Sequence, residues 1–423
     1  MRDYLKERGQ RIAAYAKGLT KWLILAVCVG ILCGLAGTAF HVLVEHATEL
    51  RTEHPWLLFL LPIAGLVIVA LYKAAHIEGV GTNDVIDCVQ DGKPLSIWLL
   101  PVMFVSTVLT HLAGGSAGRE GAALQMGGDI GWQMGRLLRL NNHECRTATL
   151  CGMAAFFSAL FGTPLTAAFF ALTVIHVGVV FYSAFFPCFV SAMVAYGISL
   201  ALGVAPTRFS VAVPELSASM MVRVGLFSIL CSLVVILFCA ILHQGNHCMA
   251  KLFPNRWARV LAGSAAVILF TFLYGEMRYN GAGMSVITAA IEQDTALPWD
   301  WILKALLTAV TLGAGFKGGE VVPCFFVGAT FGCVAAPLFG IPSGFGAALG
   351  LAGLFCGASN CLPATLFLSV ELFGSEGLLY FAIVCGVTYV LSGYSGLYSS
   401  QTILTSKLES EYLEGQKEQV KRG

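Results

Sequence analysis

Charge is scarce in this sequence: Asp, Glu, Lys and Arg make up 12% of its 423 residues, against about a quarter in an ordinary soluble domain. Positions 147–207 carry none of the four, and neither do positions 321–370. A membrane span takes roughly 20 apolar residues, so each run crosses or re-enters a bilayer more than once. Alternating polarity is missing too, which excludes a transmembrane barrel built of short two-faced strands. The fold class that remains is all-α and polytopic. The 14 cysteines, Cys28, Cys33, Cys151, Cys324 and Cys361 among them, form no Cys-x-x-Cys pair and show no metal-ligand spacing. They read as small buried hydrophobes. His243 and His247 share a helix face but lack a third ligand, so no metal is expected. A net charge of +1 gives no reason to expect a nucleic-acid partner.

What is present is a series of apolar blocks between breakers. They predict helices near 22–47, 56–75, 96–113, 147–175, 177–203, 223–250, 258–276 and 300–315, with several shorter ones over 321–404. Arg2, Lys6, Arg8, Arg11, Lys17 and Lys21 precede the first span, which by the positive-inside rule puts the N-terminus in the cytoplasm. Residues 1–20 read as an interfacial helix and 406–423 as a short tail without a regulatory domain. The expectation is a multi-pass protein of the cell's inner membrane with both termini cytoplasmic.

The chain also repeats itself. Gly118-Arg119-Glu120, followed by Gly127 and Gly131, recurs about 200 positions later as Gly318-Gly319-Glu320, followed by Gly328 and Gly332. At nearly the same offset, Phe161-Gly162-Thr163-Pro164-Leu165-Thr166 is echoed by Asn360-Cys361-Leu362-Pro363-Ala364-Thr365. Transporters are often built from two such halves inverted in the membrane, with the substrate site at their interface. The halves are expected at 21–205 and 215–405.

Glycines at 114, 115, 118 and 121 do not favour a helix interior, so the helix breaks at membrane depth, where irregular backbone must line a cavity. A helix restarting after Gly118 aims free N–H groups and the positive end of its dipole into that cavity. Residues 319–322 do the same from the other half. Opposed helix N-termini bind an anion without a full positive charge, loosely enough for release. Glu120 stands out there, because a carboxylate at membrane depth points to function. The bland alternatives are an ion pair with Arg119 or a position at the motif's edge. Facing the anion path, Glu120 would take the anion's place when ionised and leave when protonated.

Gly114-Gly115-Ser116-Ala117-Gly118-Arg119-Glu120-Gly121 resembles the G-S-x-G-R-E-G motif of CLC channels and exchangers, whose glutamate is the external gate. Phe161 to Thr166 is similar to the family's N-A-P-L segment, and Gly396-Leu397-Tyr398-Ser399 to its P-L-Y-S. The resemblance covers almost the whole chain and implies the CLC fold, a homodimer with one pathway per subunit, and no cofactor. It also implies that Tyr398 offers its hydroxyl to the anion.

Departures from the common pattern resemble the fluoride branch. Gly79-Val80-Gly81-Thr82-Asn83-Asp84-Val85 replaces G-S-G-I-P, so the chloride-coordinating serine is gone. Gly315-Phe316-Lys317-Gly318-Gly319-Glu320-Val321-Val322-Pro323 resembles the branch's G-F-K-G-G-E-V-x-P signature. Ala122 stands where chloride-type members carry proline. Thr173 and Val174 fall near the position of the internal proton-carrying glutamate, and neither titrates. Glu320 is therefore the candidate second coupling acid, with helix-dipole stabilisation as the bland alternative. Val322 stands where some fluoride-type members carry threonine, which removes one side-chain ligand. Thr82 and Asn83 are candidate polar contributors, with a turn-forming role as the alternative.

The candidate anion site thus comprises Gly118, Arg119, Gly121, Gly81, Thr82, Asn83, Gly319, Val321, Val322 and Tyr398, with Glu120 and Glu320 coupling protons. The expected activity is export of fluoride in exchange for protons. The rival readings are a chloride/proton exchanger or a passive CLC channel. An intramembrane enzyme using Glu120 and Glu320 as acid and base lacks a nucleophile, so no enzyme is expected. Lys317, Phe325, Phe326 and Glu371 have structural readings as good as functional ones.

Overall fold

The computed structural model of the chain describes residues 2–409; the rest of the expected tail at 406–423 lies outside them. The first part holds α1 (Arg2–Glu53), α2 (Leu61–Ala74), α3 (Thr82–Asp91), α4 (Leu99–Leu112), α5 (Glu120–Leu137), α6 (Asn142–Phe161), α7 (Pro164–Thr173) and α8 (Phe185–Ala201). After an extended stretch come α9 (Ala218–Leu252), α10 (Arg256–Tyr274), α11 (Met284–Glu292), α12 (Asp300–Ala314), α13 (Val321–Ala335), α14 (Ser343–Ser359), α15 (Leu362–Phe373) and α16 (Leu378–Leu391). Two short strands, β1 (His176–Val177) and β2 (Thr402–Ile403), pair in parallel.

Among the described residues, 6 helical stretches are long and apolar enough to cross a membrane. Others, such as the 10 residues of α7 and the 12 of α15, are too short at about 1.5 Å per residue to cross a hydrocarbon core of about 30 Å. They are the pieces of broken helices.

Three expectations change here. The helix expected over 147–175 is two. Gly162, at φ +67°, ends α6 in the left-handed conformation, and Pro164, without an N–H, opens α7. The helix expected over 177–203 begins only at Phe185, after the strand and a tight turn. Residues 1–20 are not a separate helix: α1 runs through position 20 into the first span, with no proline to stop it.

The central packing explains the repeated glycines. A Cβ on Gly131 of α5 would lie 2.0 Å from the Ala148 carbonyl oxygen of α6. In the second half a Cβ on Gly332 of α13 would lie 2.1 Å from the Gly346 oxygen of α14. Gly127 and Gly328 make the corresponding contacts with Gly152 and Gly350. Small residues at such spacing let helix backbones touch in a membrane, where close packing replaces the hydrophobic effect as glue. The breaks correspond as well: α14 ends on Asn360 at φ +58°, a left-handed conformation like that of Gly162.

Candidate ion-transport site

Four loops meet at the centre. In the first half, α4 ends at Leu112 and α5 starts at Glu120; in the second, α12 ends at Ala314 and α13 starts at Val321. The two interruptions are stitched together. Gly118 N–H donates to the Gly319 carbonyl, and Gly319 N–H donates to the Gly118 carbonyl, both at 2.8 Å. Ser116 N–H donates to Thr311 Oγ1 of α12 at 3.1 Å, and Lys317 N–H donates to Thr110 Oγ1 of α4 at 3.3 Å. Each bond has its counterpart with the halves exchanged, so a local two-fold relation runs through the Gly118–Gly319 bridge. Neither α5 nor α13 receives a side-chain cap, which leaves first-turn N–H groups available to a ligand.

Glu120 opens α5 and is buried, at 1% exposed. Its Oε2 accepts the Arg119 N–H at 2.9 Å, and Arg119 Nε lies 3.6 Å from Oε1. The carboxylate folds back over Gly118, where a Cβ would stand 2.6 Å from Oε2. Glu320 occupies the position just before α13 without a side-chain bond to the helix, and its Oε2 lies 3.2 Å from where a Gly121 Cβ would be. That oxygen is buried without a hydrogen-bond partner among the described residues. Gly118, Gly121 and Gly319 are thus the positions where two helix N-termini and two carboxylates approach too closely for a side chain. Val321 and Val322, in the first turn of α13, are buried beside them.

The loop before α3 joins from one side. Asp84 accepts the Gly81 N–H at 2.8 Å. Thr82 Oγ1 accepts Gln125 Nε2 at 3.1 Å, which leaves the Thr82 O–H free to donate. Asn83 Oδ1 accepts the Ser400 N–H at 3.1 Å, which ties this loop to the segment carrying Tyr398 and leaves the amide NH2 as donor. The Tyr398 hydroxyl is buried without a partner among the described residues.

A cavity of about 1080 Å³ reaches Glu120, Arg119 and Val322 and is walled in part by Arg51, His111 and Asn280. A second, of about 320 Å³, reaches Tyr398 beside Asn360 and Gln401. A third, of about 170 Å³, is lined by Tyr72, Arg256, Arg259 and Lys317. Lys317 stacks 4.2 Å over the Tyr72 ring, an attraction between cation and aromatic face. Glu371 is structural: it accepts the Leu165 and Thr166 N–H groups at 3.1 and 2.9 Å and so caps α7.

The sequence reading passed over Arg51, His111, Gln125 and Lys304. Lys304 is fully buried in α12 and gives its protons to the Tyr279 and Gly281 carbonyls at 2.9 and 2.6 Å. For Lys304, a lone charged residue inside an apolar block was the available signal.

The profile of the family described as voltage gated chloride channel matches residues 63–393. The chain belongs to the CLC family. Members of this family are multi-pass membrane transporters and channels, which are not an enzyme class. Among CLC relatives, it is 37% identical over 402 residues to the "Chloride/fluoride channel protein" of Pseudomonas syringae pv. tomato, covering 92% of this chain and 88% of that one. It is 26% identical to the "H(+)/Cl(-) exchange transporter ClcA" of Vibrio cholerae, covering 92% of each. Among solved structures, a CLC-type fluoride/proton antiporter superposes with a TM-score of 0.88 at 34% identity, over 91% of this chain and 98% of that one. A slow cyanobacterial chloride/proton antiporter superposes with a TM-score of 0.77 at 19% identity, over 88% and 94%, a likeness of fold alone. The architecture is the CLC fold, with two inverted repeats and broken re-entrant helices.

Proposed function

We propose that this CLC protein is a secondary active transporter that moves fluoride out of the cytoplasm in exchange for protons. The observation that carries the reading is the bridge of Gly118 to Gly319, which sets two uncapped helix N-termini together with two buried carboxylates, Glu120 and Glu320. Helix N-termini attract an anion, and a carboxylate is itself an anion. Glu120 therefore competes with the transported ion for the same N–H donors. Ionised, it sits over Gly118; protonated, it gives up its place. The proton enters with the acid as the anion leaves.

Glu320 is the second coupling acid. Its unpartnered Oε2 faces the Gly121 side of the bridge, and the tyrosine hydroxyl and the Thr82 O–H are the side-chain donors that replace part of the ion's hydration. Fluoride holds its water tightly, so its site needs short, strong hydrogen bonds in a narrow space. Support for fluoride comes from the Gly315–Pro323 signature, from the loss of the serine in the Gly79–Val85 loop, and from the likeness to a fluoride/proton antiporter. The repeats run over 21–205 and 215–405, the protein works as a homodimer in the cell's inner membrane, and both termini lie in the cytoplasm.

Reconstituted in liposomes, the protein should drive fluoride uphill against its gradient when a pH gradient is imposed. Fluoride that runs only downhill would mean a passive channel instead.

A further inference from the structure

Two buried polar atoms of residues that line the large cavity have no partner among the described residues, Nε2 of His111 and Nε of Arg51. We infer that they form the resting place of the protonated Glu120 side chain during transport. The inference rests on the antiport reading and adds a positioning pair to it.

The imidazole is fixed from behind. His111 is fully buried near the end of α4, and its Nδ1 lies 2.9 Å from the Thr107 carbonyl oxygen. A carbonyl oxygen only accepts, so Nδ1 carries the hydrogen, and Nε2 of the neutral ring is an acceptor with a lone pair to offer. Arg51, 5% exposed in the last turn of α1, reaches the same residue: Nη1 donates to the His111 carbonyl oxygen at 2.5 Å. Its Nε–H is a donor left over. The two residues that carry this acceptor and this donor line a cavity that Glu120 also lines.

That combination distinguishes the two forms of a carboxyl group. An ionised carboxylate only accepts and is repelled by the imidazole lone pair. A carboxylic acid has an O–H for Nε2 and a C=O for the Arg51 Nε–H. The other charged groups around the imidazole are Arg119 at the start of α5 and Lys304 of α12. Lys304 is committed to two carbonyls, and Arg119 Nε is directed at Glu120. Three carboxyl groups line the cavity. Glu45 pairs with His41 at 3.0 Å and is exposed, as is Glu276. Glu120 is the buried one, and its gain of an O–H donor during the cycle makes it the match for this pair.

The two positions complement each other. Over Gly118 the side chain faces the Arg119 N–H; once protonated, its O–H confronts a donor with a donor. Beside His111 the same proton has an acceptor. A buried polar group left unpaired is costly. The Arg51 Nε–H can pair with either form of the carboxyl group, but the His111 nitrogen pairs only with the protonated acid, and that favours departure of the gate when the proton arrives.

The direct test is a structure of the Glu120→Gln protein, because the carboxamide has the shape of the neutral acid and carries an N–H donor. We expect the new amide nitrogen within about 3.2 Å of His111 Nε2. An amide that stays over Gly118, or turns away from His111, overturns the inference. In liposomes, His111→Phe should lower the pH of half-maximal exchange by about one unit, and with it the rate at neutral pH about tenfold. Fluoride affinity should not change, and His111→Asn, whose side-chain oxygen restores an acceptor, should recover most of the loss. An unaltered pH profile in His111→Phe sinks the pair but leaves antiport standing. Wild-type protein that moves no protons sinks antiport itself. If His111→Phe does not fold, the Glu120→Gln structure decides alone.

Discussion

Gly118 and Gly319 exchange two backbone hydrogen bonds of 2.8 Å, and this bridge joins the two halves of the molecule at the point where each interrupts a helix. Backbone groups freed by a broken helix must find partners at membrane depth. Here each half supplies them to the other. The same pattern holds for Ser116 with Thr311 and for Lys317 with Thr110. An interrupted helix that would be unstable alone is thereby tied down by reciprocal bonds.

The bridge leaves no room for a side chain. A Cβ on Gly319 would stand 2.3 Å from the Gly121 nitrogen, and backbone cannot yield as a flexible side chain can. Gly319→Ala should destabilise the protein by about 1–3 kcal/mol and remove most ion flux. Thermal unfolding in detergent, paired with a flux assay, checks both.

Tyr398 presents the opposite case, since its hydroxyl bonds to no described residue. Removing it breaks nothing in the resting protein. Tyr398→Phe should leave the unfolding temperature unchanged but weaken fluoride binding about tenfold, the equivalent of one lost hydrogen bond. Titration calorimetry reads the affinity. Equal affinities in the two proteins would remove Tyr398 from the site.

Glu371 separates structure from transport in the other direction. Its carboxylate holds the first turn of α7 through Leu165 and Thr166. Glu371→Ala should cost about 1.5–3 kcal/mol, the range for bonds to a charged group, while the preference for fluoride over chloride stays the same. A changed preference would place Glu371 in the ion path.

Glu320→Gln keeps the shape of the second acid and removes its charge cycle. Proton movement per fluoride should fall at least tenfold while fluoride still binds; unaltered proton movement would leave Glu320 only the stabilisation of the α13 dipole.

These residues differ in how plainly the sequence announced them. The glycine motifs were legible because the same breakers recur about 200 positions apart in mostly apolar sequence, and their spacing along α5 and α13 is the spacing of the helix contacts. The break at Gly162-Thr163-Pro164 was visible as a motif, yet the run around it read as one helix because apolar residues continue on both sides. The basic N-terminal segment looked separate because its charge changes at Lys21, whereas the backbone of α1 simply continues. Glu371 and the N-terminus of α7 lie about 200 residues apart in the chain, as do Ser116 and Thr311. No local pattern carries such pairings. The same is true of Arg51 and His111: His111 is a polar position in apolar surroundings, and Arg51 sits in a polar stretch between Glu49 and Glu53 that gives no sign of its burial.

The measurement closest to the central claim uses the wild-type protein in liposomes with a pH electrode outside. With a fluoride gradient directed outward from the vesicles and no proton gradient, the account predicts proton uptake into the vesicles, and none when chloride replaces fluoride. Equal proton uptake with both ions, or fluoride release without any proton uptake, would contradict it.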